Sequence, residues 1–244
     1  MKHTERPFRT LPLPLVLFFF VTLAMQIGIF QLSMFKSELE YKPLAEPFVS
    51  STYRISAMGS DRLMSYLLAI RLQLHDNQSG KHIRYEQLDY KKLVSWLDQI
   101  DRLNIHSGYT AMLASRVYSQ TADKKNIRLM IDFIQRSFVQ NPQLNWRRMT
   151  EATILAKHKL DDLELALSLA AQLTKQPIEV VMPQWARDMK FLILGEMNEF
   201  EAGISIIVML LKSDSVDEID EQRFLEGKLL DFQQKLLESQ QKSE

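Results

Sequence analysis

The sequence predicts an all-α protein: a single N-terminal transmembrane helix, then an α-solenoid of about four helical hairpins, then a C-terminal capping helix. Three observations predict it. Leu11 to Phe35 is a 25-residue run without a charge. Beyond it, apolar residues recur at offsets of 0, 3, 4, 7 and 10 or 11, the spacing of one helix face. With 7 glycines and 8 prolines among 244 residues, the chain is short of the turn residues that an all-β architecture needs.

As a helix, the uncharged run would reach about 37 Å, enough to cross a bilayer core with some tilt. Pro12 and Pro14 fall in its first turn, where a missing N–H costs nothing. Lys2, Arg6 and Arg9 precede the run against one acid, Glu5, while Lys36, Glu38, Glu40 and Lys42 follow it. The excess of basic residues places 1–10 in the cytoplasm and the chain after 11–35 across the membrane. A cleaved signal peptide, with Thr22 and Ala24 before the cut, is the competing reading. The apolar stretch continues well past Ala24, which favours an uncleaved anchor.

Residues 36–58 contain Pro43, Pro47, Ser50 and Ser51 with little helical periodicity, and read as a tether. The helical domain is expected over 59–213. Ser60 can cap a first helix whose stripe is Leu63, Tyr66, Leu67, Ile70 and Leu74. His75 to Glu86 breaks the pattern and reads as a long loop. Asp89 caps the next helix, marked by Leu93, Leu97, Ile100 and Leu103. A second pair carries Thr110, Leu113, Ala114 and Val117, then Ile127, Met130, Ile131, Ile134 and Phe138.

Asn145 to Pro177 is the clearest hairpin. Met149, Ala152, Thr153, Ala156 and Leu160 share one stripe, Asp161-Asp162 interrupts it, and Leu163, Ala166, Leu167, Ala170 and Leu173 form the second. The alanines let two helix axes approach closely. A fourth pair follows, entered through Pro183, with Trp185, Met189, Leu192 and Ile193 and then Phe200, Ile204, Ile207, Val208 and Leu211. Over 214–244, Ser215 and Glu218 form an S-x-x-E capping box. The helix they open carries Leu225, Leu229, Phe232 and Leu236, and its expected work is to seal the last hairpin's apolar edge.

Val94, Met130, Ala166 and Ala202 occupy corresponding points in four second helices, at a constant step of 36. With small residues at the helix crossings, Pro142 and Pro177 after two second helices, and Trp146 and Trp185 near the first turns of two first helices, the chain resembles the tetratricopeptide superfamily, whose unit is a helix–turn–helix of about 34 residues. The resemblance covers about Gly59 to Ser213. It departs from the family's glycine-and-tyrosine signature, since Ile154 and Lys157 stand in its place, and the family's carboxylate-clamp residues have no matching positions. The resemblance implies a module that binds other proteins.

Thirty basic and thirty acidic residues cancel, so the charge balance gives no sign of a nucleic-acid partner. The absence of cysteine excludes disulfides, thiolate catalysis and cysteine-held metals. His75 and His82 lack ligand spacing, and His158 sits between Lys157 and Lys159; no metal or other cofactor is expected. Asp161-Asp162 and the acidic run Asp217 to Glu221 fall at helix starts, which the helix dipole explains without catalysis. The most basic cluster, Arg147, Arg148, Lys157 and Lys159, is the candidate partner-binding surface. The expected protein is therefore a non-enzymatic, single-pass scaffold or adaptor of a bacterial inner membrane. Its repeat domain is expected in the periplasm, binding a protein and no small-molecule substrate; the alternative is a permanent accessory subunit of a multisubunit membrane enzyme.

Overall fold

The structure, a computed structural model, describes residues 13–36, 43–78, 81–177, 179–212 and 219–243. Apart from two paired two-residue strands, β1 (Asn77–Gln78) and β2 (Lys81–His82), and a turn of 3-10 helix at Tyr85–Gln87, the regular elements among these residues are α-helices, two of them prolonged by π-helical turns. The chain forms two compact units. One contains the first helix and Gln78–His82, and the other runs over Pro43–Asn77 and Ile83–Glu244.

The first helix, α1 (Leu13–Lys36), is long and apolar enough to cross a membrane: Pro14–Gln31 has a mean hydropathy of 1.9 and none of it is buried within the protein. Thr22 does not break this character. Its hydroxyl donates to the carbonyls of Phe18 at 3.0 Å and Phe19 at 2.9 Å, so the polar group is satisfied inside the helix. Pro12 and the basic residues before it lie outside the described residues.

The second unit carries α2 (Ser50–Ser56), α3 (Asp61–Asp76), α4 (Tyr90–Leu103), α5 (Tyr109–Met112), α6 (Lys124–Gln140), α7 (Pro142–Leu155), α8 (Leu163–Thr174), α9 (Gln184–Glu196), α10 (Phe200–Lys212) and α11 (Ile219–Ser243). Helix α5 continues through a π-helical turn at Leu113–Tyr118, and α7 through another at Ala156–Leu160. Neighbours in sequence are neighbours in space: α3 packs on α4, α7 on α8, α9 on α10 and α10 on α11. The side chains of Asp89, Asp123, Asn141 and Asp162 each accept from backbone N–H groups of the turn they open, satisfying donors that the helix itself leaves unpaired. Asp161 adopts a left-handed conformation, φ 59°, which an aspartate tolerates. The Asp161-Asp162 pair is thus both the turn and the cap.

The core follows the alternation of large and small residues. Leu97, Met130, Phe133, Ile134 and Phe138 are buried, as are Ala152, Ala156, Ala166 and Ala170, so close helix approach and bulky filling occur side by side. Burying each large side chain contributes about 1.5–3 kcal/mol. Contacts between successive hairpins recur at a near-constant interval. Gln73 donates to Tyr109, Arg116 to Glu151, Lys124 to the Leu160 carbonyl and Arg128 to Asp162, at separations of 36, 35, 36 and 34 residues.

Three expectations change. The step of 36 does not preserve environment: Met130 and Ala166 are buried, Val94 is half-buried, and Ala202 is exposed. In α10 the buried position is Gly203, where a Cβ would come within 2.6 Å of the Phe232 ring; the docking of α11 sets the phase there. Second, the tether is shorter than expected, because the folded unit begins at Pro43. Leu44 and Tyr53 are buried, Tyr53 packs on Trp96 with ring centroids 6.3 Å apart, and the Trp96 indole N–H donates to the Ala45 carbonyl at 2.8 Å.

Third, α3 is buried on the face opposite to its predicted stripe. Ser65, Leu68, Ala69, Leu72 and Asp76 are buried, whereas Leu63, Leu67, Ile70 and Leu74 are 57%, 52%, 52% and 63% exposed. The helix is apolar on two opposite faces, so periodicity alone fits either. The Ser215 and Glu218 capping box lies outside the described residues, and α11 is described from Ile219.

Candidate functional site

The four basic residues singled out in the sequence do not form one surface. Their helix turns about 100° per residue, and three of the four are engaged by different groups: one by an acid of its own helix, one by an acid of α9 and one by a backbone carbonyl. Arg148 lies 2.7 Å from Glu151, which Arg116 also reaches at 2.7 Å. Burial pushes the Glu151 carboxyl up, but hydrogen bonds from Arg116, Ser115 and Arg148 outweigh it and hold the group below its usual range. Lys157 pairs with Glu196 at 2.9 Å, and the hydrogen bond from Lys157 lowers the Glu196 carboxyl. Lys159 donates to the Ser119 carbonyl at 2.8 Å. The Arg116–Glu151, Lys157–Glu196 and Lys159–Ser119 contacts join one hairpin to the next.

Arg147 is the exposed member of the four. Its guanidinium carbon stands 5.0 Å from the centroid of Trp146, within cation–π range. Trp146, nearly buried, meets Trp185 of α9 edge to face at 5.9 Å. The two tryptophans that sequence placed in first helices therefore touch, and Trp185 remains 53% exposed. The first turn of α9 and that of α11 enclose a cleft of about 370 Å³, lined by Pro183, Gln184, Trp185, Asp188, Glu221 and Phe224.

A second open surface is the outer face of α3. Leu63, Leu67, Ile70 and Leu74 recur at intervals of 4, 3 and 4 residues, a straight seam along a helix. They lie roughly 180° around the helix from the residues that pack on α4. Tyr66 flanks the seam, and Ile55 and Met58 just before it are 82% and 95% exposed. Single exposed leucines are ordinary, but four in a row along one helix exceed that scatter. Sequence reasoning found these residues as the stripe of this helix. The signal that separates the two faces is the presence of Ala69 on one of them, since a small residue marks the side where another helix comes close.

His75 closes α3, and burial lowers its pKa. The side chain of His82 lies outside the described residues. Among the described residues, no three His, Asp or Glu side chains come together in a metal-holding group. Compared with protein-family models, with curated proteins and with solved structures, the chain matches none of them.

Proposed function

We propose that this chain is a membrane-anchored helical-repeat scaffold whose folded unit recruits a protein partner. In this reading α1 spans a bacterial inner membrane, the amino terminus is cytoplasmic, and the second unit works in the periplasm in the assembly or maturation of a membrane complex. The single observation that carries the reading is the outer face of α3. Leaving four side chains that are each a little over half exposed in water forgoes about 1–1.5 kcal/mol for each that a partner would cover, and the spacing suits a helix laid along the seam. Hairpin contacts recurring every 34 to 36 residues support the tetratricopeptide-like arrangement, an architecture that presents extended binding surfaces.

A permanent accessory subunit is the second reading, and the same face favours it in one respect: it is apolar throughout, as obligate interfaces tend to be. The paired substitution Leu67→Glu and Ile70→Glu tests the scaffold. Both positions are exposed, so stability should change by no more than about 0.5 kcal/mol each. When the tagged full chain is extracted from its native membrane, the wild type should bring down a protein that the double variant loses. Recovery at fixed stoichiometry under every growth condition indicates the subunit, and a conditional interaction indicates the adaptor. An unchanged set of co-purifying proteins contradicts both.

A further inference from the structure

A cavity of about 450 Å³ lies in the second unit, apart from both the α3 face and the cleft at Trp185. Lys157 reaches it from the π-helical turn after α7, Glu196 and Asn198 from the end of α9 and the turn beyond it, and Lys228, Asp231 and Lys235 from α11. The three α11 residues stand at offsets of 0, 3 and 7, which is one helix face. Phe232, between them, fixes that face in place, because its ring fills the gap at Gly195 and Gly203.

The charges around the cavity do not balance. Its lining holds three ammonium groups and two carboxylates. Lys228 and Lys235 both approach one atom, Asp231 Oδ2, at 3.9 and 3.1 Å, while Lys157 takes Glu196 at 2.9 Å. A single carboxylate oxygen therefore faces two cations, and the longer approach is beyond hydrogen-bond range. The two walls also feel each other: the Glu196 carboxyl is lowered first by Lys157, with His158 and Lys235 adding to it. Asn198, left-handed at φ 61°, belongs to the same lining, and an asparagine amide is a further donor.

These groups suit an anion with several acceptor oxygens. A phosphate group offers three, with a charge of about −1.5 to −2 at neutral pH, so it can meet ammoniums on both walls at once. Lysine binds phosphate as a point charge and needs no fork geometry. Lys228 and Lys235 are 38% and 50% exposed, and ion pairs as exposed as theirs are weak, which lets an incoming anion share the lysines. The volume falls within the range of small-molecule sites, about 300–1,000 Å³, and leaves room for an organic body beside the phosphate. We propose that this cavity binds a phosphate group, free or as a small ester, through Lys157, Lys228 and Lys235 with Asn198 as a neutral donor. The site stands independently of what covers α3.

Isothermal titration of the full chain in a maltoside detergent, at constant ionic strength, tests this with inorganic phosphate, glycerol 3-phosphate and acetate. Phosphate or its ester should bind, and acetate should be weaker by about tenfold or more. Phosphate binding at least as tightly as the ester identifies free phosphate as the source, and tighter binding of the ester identifies an organic phosphate; either outcome supports the site. Lys228→Gln and Lys235→Gln should keep the fold, and each should weaken binding by about tenfold. Asp231→Asn removes the competing carboxylate and should tighten binding. Lys175→Gln, at an exposed lysine after α8, should leave it unchanged. Absence of binding by both phosphates, acetate binding as tight as phosphate, an affinity that both lysine variants leave intact, or one that Asp231→Asn weakens, overturns the proposal.

Discussion

Phe232→Ala should lower the stability of the second unit by about 3–5 kcal/mol, the range for deleting a buried ring whose surroundings cannot collapse. Phe232 is 3% exposed within a cluster of Phe191, Phe200, Ile207 and Leu225. Its ring meets Phe200 edge to face at 5.7 Å and Phe191 at 6.5 Å. Two glycines make the seat. A Cβ at Gly195 would lie 2.3 Å from the ring and one at Gly203 would lie 2.6 Å from it, so helices α9 and α10 lack side chains where the ring enters. Alanine at 232 would leave a void walled by backbone. Urea unfolding should show a lower midpoint, and limited proteolysis should cut within α11 before the rest of the unit. A loss under about 1 kcal/mol, with α11 still protected, would show that other contacts hold this helix.

Asp188→Asn should raise stability by roughly 3 kcal/mol at neutral pH and change little in acid. Burial is the main cause that pushes the Asp188 carboxyl up to about 6; the Gln184 hydrogen bond opposes it and the Glu221 charge adds to it. A carboxyl that titrates higher in the folded state than near 4 in the unfolded chain makes folding bind a proton. Its contribution is therefore fully present below about pH 4, is lost as pH rises through about 6, and is absent above about pH 7. Asparagine keeps the shape and removes that loss. Melting curves of the two proteins should coincide below about pH 4, separate as pH rises from about 4 to about 6, and keep a nearly constant separation above that. Curves that stay parallel through this window would mean that Asp188 is not held protonated by the fold.

The order of helices was legible in the sequence because most stripes have one partner. Helices α4, α6 and α8 bury residues read from periodicity, and Asp89, Asp162 and Pro183 stand at the helix starts assigned to them. Helix α3 was legible as a helix but not in orientation, since Leu63 and Leu68 both belong to apolar rows. Helix α2 was not legible at all. Its seven residues carry no stripe, and Tyr53 is held by Trp96, which comes from a different helix.

The contacts of the basic cluster were not legible for a related reason. Arg148, Lys157 and Lys159 are close in sequence, but their contacts lie with Glu151, with Glu196 in the following pair and with Ser119 in the preceding one. The cleft is harder still to foresee, because Asp188 and Glu221 belong to different helices and only the docking of α11 brings them to one wall. What a repeat pattern conveys is which helices are neighbours. Which side chains remain open depends on how the elements near the two ends of the folded unit, α3 and α11, pack on their neighbours.

The central claim is that a protein covers the outer face of α3. A photo-activated cross-linking residue placed at Ile70 in the full chain, and separately at the exposed Lys175 after α8, tests it in the native membrane. The account predicts one discrete protein adduct from position 70 that is absent from position 175. No adduct from position 70, or adducts to lipid alone, would contradict it.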